Sequence, residues 1–348
     1  MSSYHENQDK KNTQHLRELL AEMPPLAGQF FRGIETTTAS RTRIAYAYDL
    51  RIFFHFLIEE LPQFIGREVK SLTLDDIDAL QVDDLEQYVE YLNYYENEGT
   101  ISHTNKEKGK SRKIASLRTF YNYFYKKQKI KNNPAVLIDM PKIHEHHITR
   151  LEVDEVAKLL DYAESGESLS KNQQYWHEHT KERDLAMLTL LLGTGIRVSE
   201  CVGLNLSDLD FSVNGMKILR KGGNEVVLYF GEEVRESLLL YIEKRKKIIA
   251  LSGHEDALFL SMQNKRISVR SVQNMVKKYS EAVTKLKKIS PHKLRSTYGT
   301  NLYRETGDIY LVADVLGHKD VNTTKKHYAE LEDERRRLAA KVVKLRKE

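Results

Sequence analysis

Apolar residues along this chain recur mostly at three- and four-residue spacing, the period of an α-helix with one buried face. Residues 38–60 form a long amphipathic stretch that Pro62 closes. In 82–95, Leu85, Tyr88 and Leu92 keep the same spacing. A further helix is predicted from about 110 to 127. Ile114, Leu117, Tyr121 and Phe124 share one of its faces, and Arg112, Ser116, Thr119 and Lys126 fall opposite. The aromatics Phe120, Tyr121, Tyr123, Phe124 and Tyr125 are read as core, because a helical stripe accounts for them without base stacking.

The pattern stops at 132–148, which carries Pro134, Pro141 and the histidines His144, His146 and His147. This reads as a linker. Glu145 adjoins the histidines, but no acid or cysteine partner sits at ligand spacing, so no metal site is expected from them. Beyond it, helices are predicted over 151–165, 181–192, 232–249, 269–283 and 292–305. Between them, 216–220 and 225–230 alternate around Lys221-Gly222-Gly223-Asn224, the signature of a β-hairpin. The predicted class is mainly α with a small β-sheet or hairpin. Two domains are expected, a helical one over 1–142 and a second over 151–335, with a linker over 143–150 and a C-terminal tail over 336–348.

Composition changes this picture little, but charge placement does. A chain of 348 residues with 40% hydrophobic residues and six prolines can fill two cores. Its single cysteine, Cys201, excludes an internal disulfide and suits a reducing compartment. The polar stretch 1–11 lacks the apolar run of a secretory signal. No segment reaches the roughly 20 apolar residues that span a bilayer, so a cytoplasmic location without membrane contact is expected. Net charge is only +5. However, residues 101–131 hold ten Lys or Arg against one acid, Glu107, directly after an acidic stretch over 75–98. Basic charge on one element is what phosphate-backbone binding requires. Arg112, Lys113, Ser116, Arg118 and Thr119 are the candidate DNA contacts, from a helix seated in a groove.

No P-loop, dinucleotide turn, His-Glu-x-x-His or Gly-x-Ser-x-Gly motif is present. Instead, polar groups stand out one at a time in the second half. Arg197 follows Gly193-Thr194-Gly195-Ile196, with Glu200 three residues on. Lys221 sits on the hairpin turn. His292 and Arg295 share one helical face at i and i+3. His318 follows Gly317, and Tyr328 lies ten residues later.

Taken in order, these resemble the tyrosine recombinase (phage integrase-like) family over about 151–332, and the basic helical first half resembles that family's core-binding domain in architecture. The resemblance implies that Tyr328 is the nucleophile, attacking a DNA phosphodiester to leave a 3′-phosphotyrosine and a 5′-hydroxyl. It implies that Arg197 and Arg295 hold the phosphate oxygens. Lys221 would be the general acid, His292 the proton acceptor from Tyr328, and His318 a hydrogen-bond donor to the phosphate. Glu200 would support the site by orienting His292 or Arg197. No cofactor and no metal is implied. The implied partner is double-stranded DNA with a short inverted-repeat site, held in a C-shaped clamp and paired into a homotetrameric synapse. An accessory protein is left open.

Departures from the family pattern are specific. Arg220 precedes Lys221 where the usual second basic residue of the turn is missing, and it rivals Lys221 for the acid role. Ser296 stands where many relatives carry histidine, and His327 immediately precedes the nucleophile. The thirty or so residues before the first long helix leave too little chain for an arm-binding domain, which favours a Xer-like recombinase that resolves chromosome dimers. The His318–Tyr328 spacing favours the alternative, an integrase or excisionase of a mobile element. A type IB topoisomerase shares the nucleophile chemistry but pairs no sites. A DNA-binding protein that does no chemistry is opposed by the joint presence of Lys221 and Tyr328. A metal-dependent nuclease is opposed by the absence of carboxylates clustered near the arginines. The stretch 329–348 reads as a helix, acidic early and basic late, that packs on its own domain or passes to a neighbouring protomer.

Overall fold

The computed structural model describes residues 4–97, 101–144, 149–167, 169–220, 223–318 and 321. The chain divides into two compact units, Met1–His146 and His147–Glu348. The first is built from α1 (Tyr4–Leu20), α2 (Pro25–Gly33), α3 (Ser40–Glu60), α4 (Leu74–Ala79), α5 (Val82–Tyr91) and α6 (Glu107–Lys126). A short antiparallel pair, β1 (Tyr95–Asn97) and β2 (Ile101–His103), joins α5 to α6. The core is rich in aromatic rings. Phe30, Phe53, Phe54, Phe120 and Phe124 are almost wholly buried, and Phe120 meets Phe30, Phe54 and Phe124 edge-on, the preferred arrangement of ring quadrupoles.

The structure corrects the reading of the first forty residues. What reads as a polar lead holds α1, a helix of 17 residues that packs on α3. Leu16 and Leu19 anchor it to the core, with Met23 just beyond its end, too few apolar positions to register as a stripe. The outward face expected of α6 is also corrected. Lys113 and Ser116 are buried rather than exposed.

The second unit contains α7 (Val153–Ser165), α8 (Lys171–Thr194), α9 (Val198–Gly203), α10 (Glu232–Arg245), α11 (Val269–Val283), α12 (Pro291–Thr306) and α13 (Ile309–Leu316). Helix α8 lies at its centre, packed by α7, α10 and α12. Its Ala186, Met187, Leu188, Leu190 and Leu191 are fully buried, which matches a helix hydrophobic nearly all round. Strands β3 (Leu209–Asp210), β4 (Gly215–Leu219) and β5 (Glu225–Tyr229) form an antiparallel sheet in that order, with Leu219 opposite Glu225 at the turn. Among the described residues, no helix is long and apolar enough to cross a membrane.

Candidate active site

The site is organised around the C-terminal end of α13. Asp308 opens that helix by accepting the backbone N–H groups of Tyr310 and Leu311 at 2.8 and 3.1 Å. Gly317 closes it in the left-handed region, with φ of 60°. The His318 N–H donates to the Ala313 carbonyl at 2.9 Å and the Gly317 N–H to Asp314 at 2.8 Å. This is a Schellman closure, and it fixes the backbone of His318.

The last carbonyls of any helix lack partners within it and carry the negative end of its dipole. Here three guanidinium groups, brought by three separate elements, occupy them. Arg197 Nη2 donates to the Gly317 carbonyl at 3.1 Å. Arg295 donates to the carbonyls of Leu316 and Gly195. Arg220 donates to Asp314 at 3.2 Å and to Val315 at 2.6 Å. A guanidinium has five N–H donors, so one that holds a carbonyl can still present others to a phosphate.

Each arginine reaches this place for a local reason. Helix α8 ends at Gly195, with φ of 62°, and a Cβ there would lie 2.4 Å from the Tyr298 ring. The chain can therefore turn from α8 into α9, against the Tyr298 ring of α12, only at glycine. Ile196 plugs the core, and Arg197 caps α9. Its backbone N–H donates to Glu200 Oε2 and its Nη1 to Glu200 Oε1, both at 2.9 Å. The Glu200 side chain is only 4% exposed, so this carboxylate is held inside by Arg197. The structure thus brings Glu200 to Arg197, one of the two groups expected of it. Pro291 begins α12, where its missing N–H costs nothing. His292 lies exposed in the first turn and the buried Arg295 one turn later. The Thr297 hydroxyl accepts the Leu151 N–H at 3.0 Å, tying the start of this unit to α12.

His318 is half-buried. Lys221 and Tyr328 lie outside the described residues, as do Gly222, His327 and the stretch 322–348. Neighbouring Cys201 is buried, and burial pushes its thiol up to about 12, which removes it as a rival nucleophile near neutral pH. Arg220 is the residue that sequence reasoning placed least well. It falls among the carbonyls of α13, and burial pushes its guanidinium below the ordinary value. The signal available was its position beside Lys221, and the identity of its acceptors required the fold.

In the first unit, the candidate DNA contacts are largely engaged within the protein. Ser116 donates to Asp49 Oδ2 at 2.7 Å, and Arg112 Nη1 donates to the same oxygen at 2.5 Å. Asp49 is buried, and that burial raises its carboxyl above the ordinary value. Lys113 donates to Asn105 Oδ1 at 2.8 Å. Arg118 holds the carbonyls of Ala135 and Ile138, and Thr119 donates back to Ala115 at 2.8 Å. Arg112 remains half-exposed. Asp49 and Asn105, the partners that fix this face, carried no sequence signal of their own.

Residues 149–335 match the phage integrase family. The chain belongs to that family. The tyrosine recombinase XerC of Caldanaerobacter subterraneus is 36% identical over 330 residues, covering 91% of this chain and 86% of the relative. The tyrosine recombinase XerD of Staphylococcus epidermidis is 30% identical, covering 77% of this chain and 92% of the relative. The fold is shared with the crystal structure of the XerH site-specific recombinase bound to a palindromic difH substrate in a post-cleavage complex. The TM-score is 0.64 at 17% identity, covering 91% of this chain and 84% of that one. The chain is a Xer-like tyrosine recombinase, an enzyme of site-specific DNA recombination.

Proposed function

We propose that this recombinase breaks and rejoins DNA through Tyr328, at a short inverted-repeat site. The observation that carries the reading is the gathering of Arg197 and Arg295 from separate elements beside His318. In the proposed step, the Tyr328 oxygen bonds to phosphorus while the bond from phosphorus to the 5′-oxygen breaks. The phenolic proton, whose ordinary pKa is near 10, passes to His292. Lys221 gives a proton to the departing 5′-oxygen, which is too basic to leave as an alkoxide. Arg197 and Arg295 hold the non-bridging oxygens as their charge rises, with His318 as a further donor. Glu200 keeps Arg197 in register. The covalent link conserves the bond energy, so a 5′-hydroxyl from another strand rejoins the DNA without ATP.

Two arginines and a lysine supply the positive charge that many nucleases take from metal ions. Strand cleavage is therefore expected to proceed at an unchanged rate in EDTA, and a loss of rate that added magnesium restores would refute this assignment. DNA is the partner, with Arg112 and Thr119 as candidate contacts from α6. Two bound sites pair in a tetramer, and resolution of chromosome dimers is the host process favoured by the likeness to XerC and XerD. The test uses a nicked duplex bearing the inverted repeat that the wild-type protein selects from a randomised DNA pool. Wild type should accumulate a covalent adduct and Tyr328→Phe none. An adduct that persists in the variant removes the reading.

A further inference from the structure

The base of the β4–β5 hairpin is tied to α13, the helix that ends just before His318, and the tie is Arg220. Three observations converge on it. The Arg220 backbone closes the turn, its N–H donating to the Asn224 carbonyl at 2.9 Å and its carbonyl accepting the Gly223 N–H at 3.1 Å. Its side chain spans to α13, with Nη1 and Nη2 on the carbonyls of Asp314 and Val315. Gly317 leaves room for it, since a Cβ at that glycine would lie 2.2 Å from Arg220 Nη1. The same residue is thus fixed through both its backbone and its side chain.

We propose that Arg220 is a positioning residue for the acid step. It sets the place of the adjacent Lys221 relative to His318 and the arginine cluster, and so delivers the proton donor to the 5′-oxygen. This rests on the reading of Lys221 as the general acid. The chain allows little slack, because consecutive Cα atoms are about 3.8 Å apart across a trans peptide. Arg220 itself is a poor acid, since a guanidinium stays protonated in proteins. Its Nε is buried without a hydrogen-bond partner among the described residues. A buried donor left unpaired costs stability, so the contact supplies geometry more than folding energy. Lysine could not substitute, because a single ammonium lacks the planar fork that reaches two carbonyls at once.

The test compares single-turnover cleavage of two versions of the nicked duplex by the full-length protein. One has the ordinary 5′-oxygen at the scissile phosphate. The other has a bridging 5′-sulfur, whose thiolate leaves without protonation because thiol pKa values lie near 8.5. A displacement of about 1 Å at a reacting group costs roughly 10²-fold, so Arg220→Ala and Arg220→Lys should slow the oxygen substrate by about that factor. On the sulfur substrate, both variants should cleave within a fewfold of wild type. Recovery on the sulfur substrate also separates lost positioning from a folding defect, which would slow both substrates alike. Equal losses on both substrates would overturn the inference, as would no loss on either. Lys221→Ala serves as the reference. If sulfur fails to rescue it, the acid assignment falls and the inference with it. If it is rescued while the Arg220 variants are not, only the inference falls.

Discussion

Arg197 and Arg295 are chemically alike, but their surroundings set different consequences for losing them. Arg295 is 6% exposed, and both its assigned acceptors are carbonyls in the interior. Arg197 is about one-third exposed and pairs with a carboxylate that a lysine could also reach. Replacing either with lysine should reduce cleavage by about 10²–10³-fold, the usual cost of losing a donor aimed at developing charge. Only Arg295→Lys should also melt early, because at least one buried carbonyl loses its partner at about 1–3 kcal/mol. For a unit of this size, that corresponds to a fall of at least about 2 °C. Parallel melting curves and cleavage rates check this, and equal melting points for the two variants would contradict the difference in burial. That these two residues stand out together was legible in the order and spacing that carry the family resemblance. Their common anchor, the carbonyls of α13, was not, because backbone acceptors leave no trace in residue identity.

At the scale of elements, helices with a long apolar stripe were legible, and those without one were missed or cut short. Helix α8 reads as starting near Lys181 but begins at Lys171. Its first turns are polar, and Ser170 starts them by accepting the Gln173 N–H at 3.4 Å. Helix α4, of six residues, is too short for any period to show. It is specified by its start instead: the Thr73 hydroxyl accepts the Asp76 N–H, and Asp76 Oδ2 accepts the Thr73 N–H. Arg67 donates to both oxygens of Asp76, at 2.8 and 2.9 Å, and holds its carboxyl down at about 2. A depressed carboxyl stabilises the fold above its ordinary pKa, and that contribution disappears as pH falls toward the folded value. Asp76→Asn should therefore melt below wild type at pH 6, by an amount on the order of 1 kcal/mol typical of a lost cap. The gap should close as pH drops from about 4 to about 2. A gap independent of pH would show that the charge of Asp76 plays no part.

For the whole molecule, the division into a helical unit whose basic charge is concentrated on α6 and a unit carrying the cluster follows the break in pattern around residues 132–148, and the structure places it between His146 and His147. The strongly basic α6 invited the view that its polar face lies open to DNA. The fold buries Lys113 and Ser116 instead: Ser116 serves Asp49 on α3, which needs donors inside the core, and Lys113 donates to Asn105. Charge counts along a helix do not reveal such internal partners. Binding to DNA should nevertheless be dominated by phosphates. Each neutralised phosphate contributes about −0.9 to the slope of log K against log salt, so a slope steeper than about −4 is expected from a protein that engages DNA with both units. A shallower slope, measured by titrations across salt concentrations, would count against two-unit engagement.

The most direct test of the central claim is to locate the covalent bond itself. Trapped protein–DNA adduct, digested with trypsin, can be sequenced by mass spectrometry. Residues 327–335 form a tryptic peptide whose single tyrosine is Tyr328. This peptide should carry the oligonucleotide through a 3′-phosphate on the phenolic oxygen. An oligonucleotide attached to any other side chain, or through a 5′-phosphate, would contradict it.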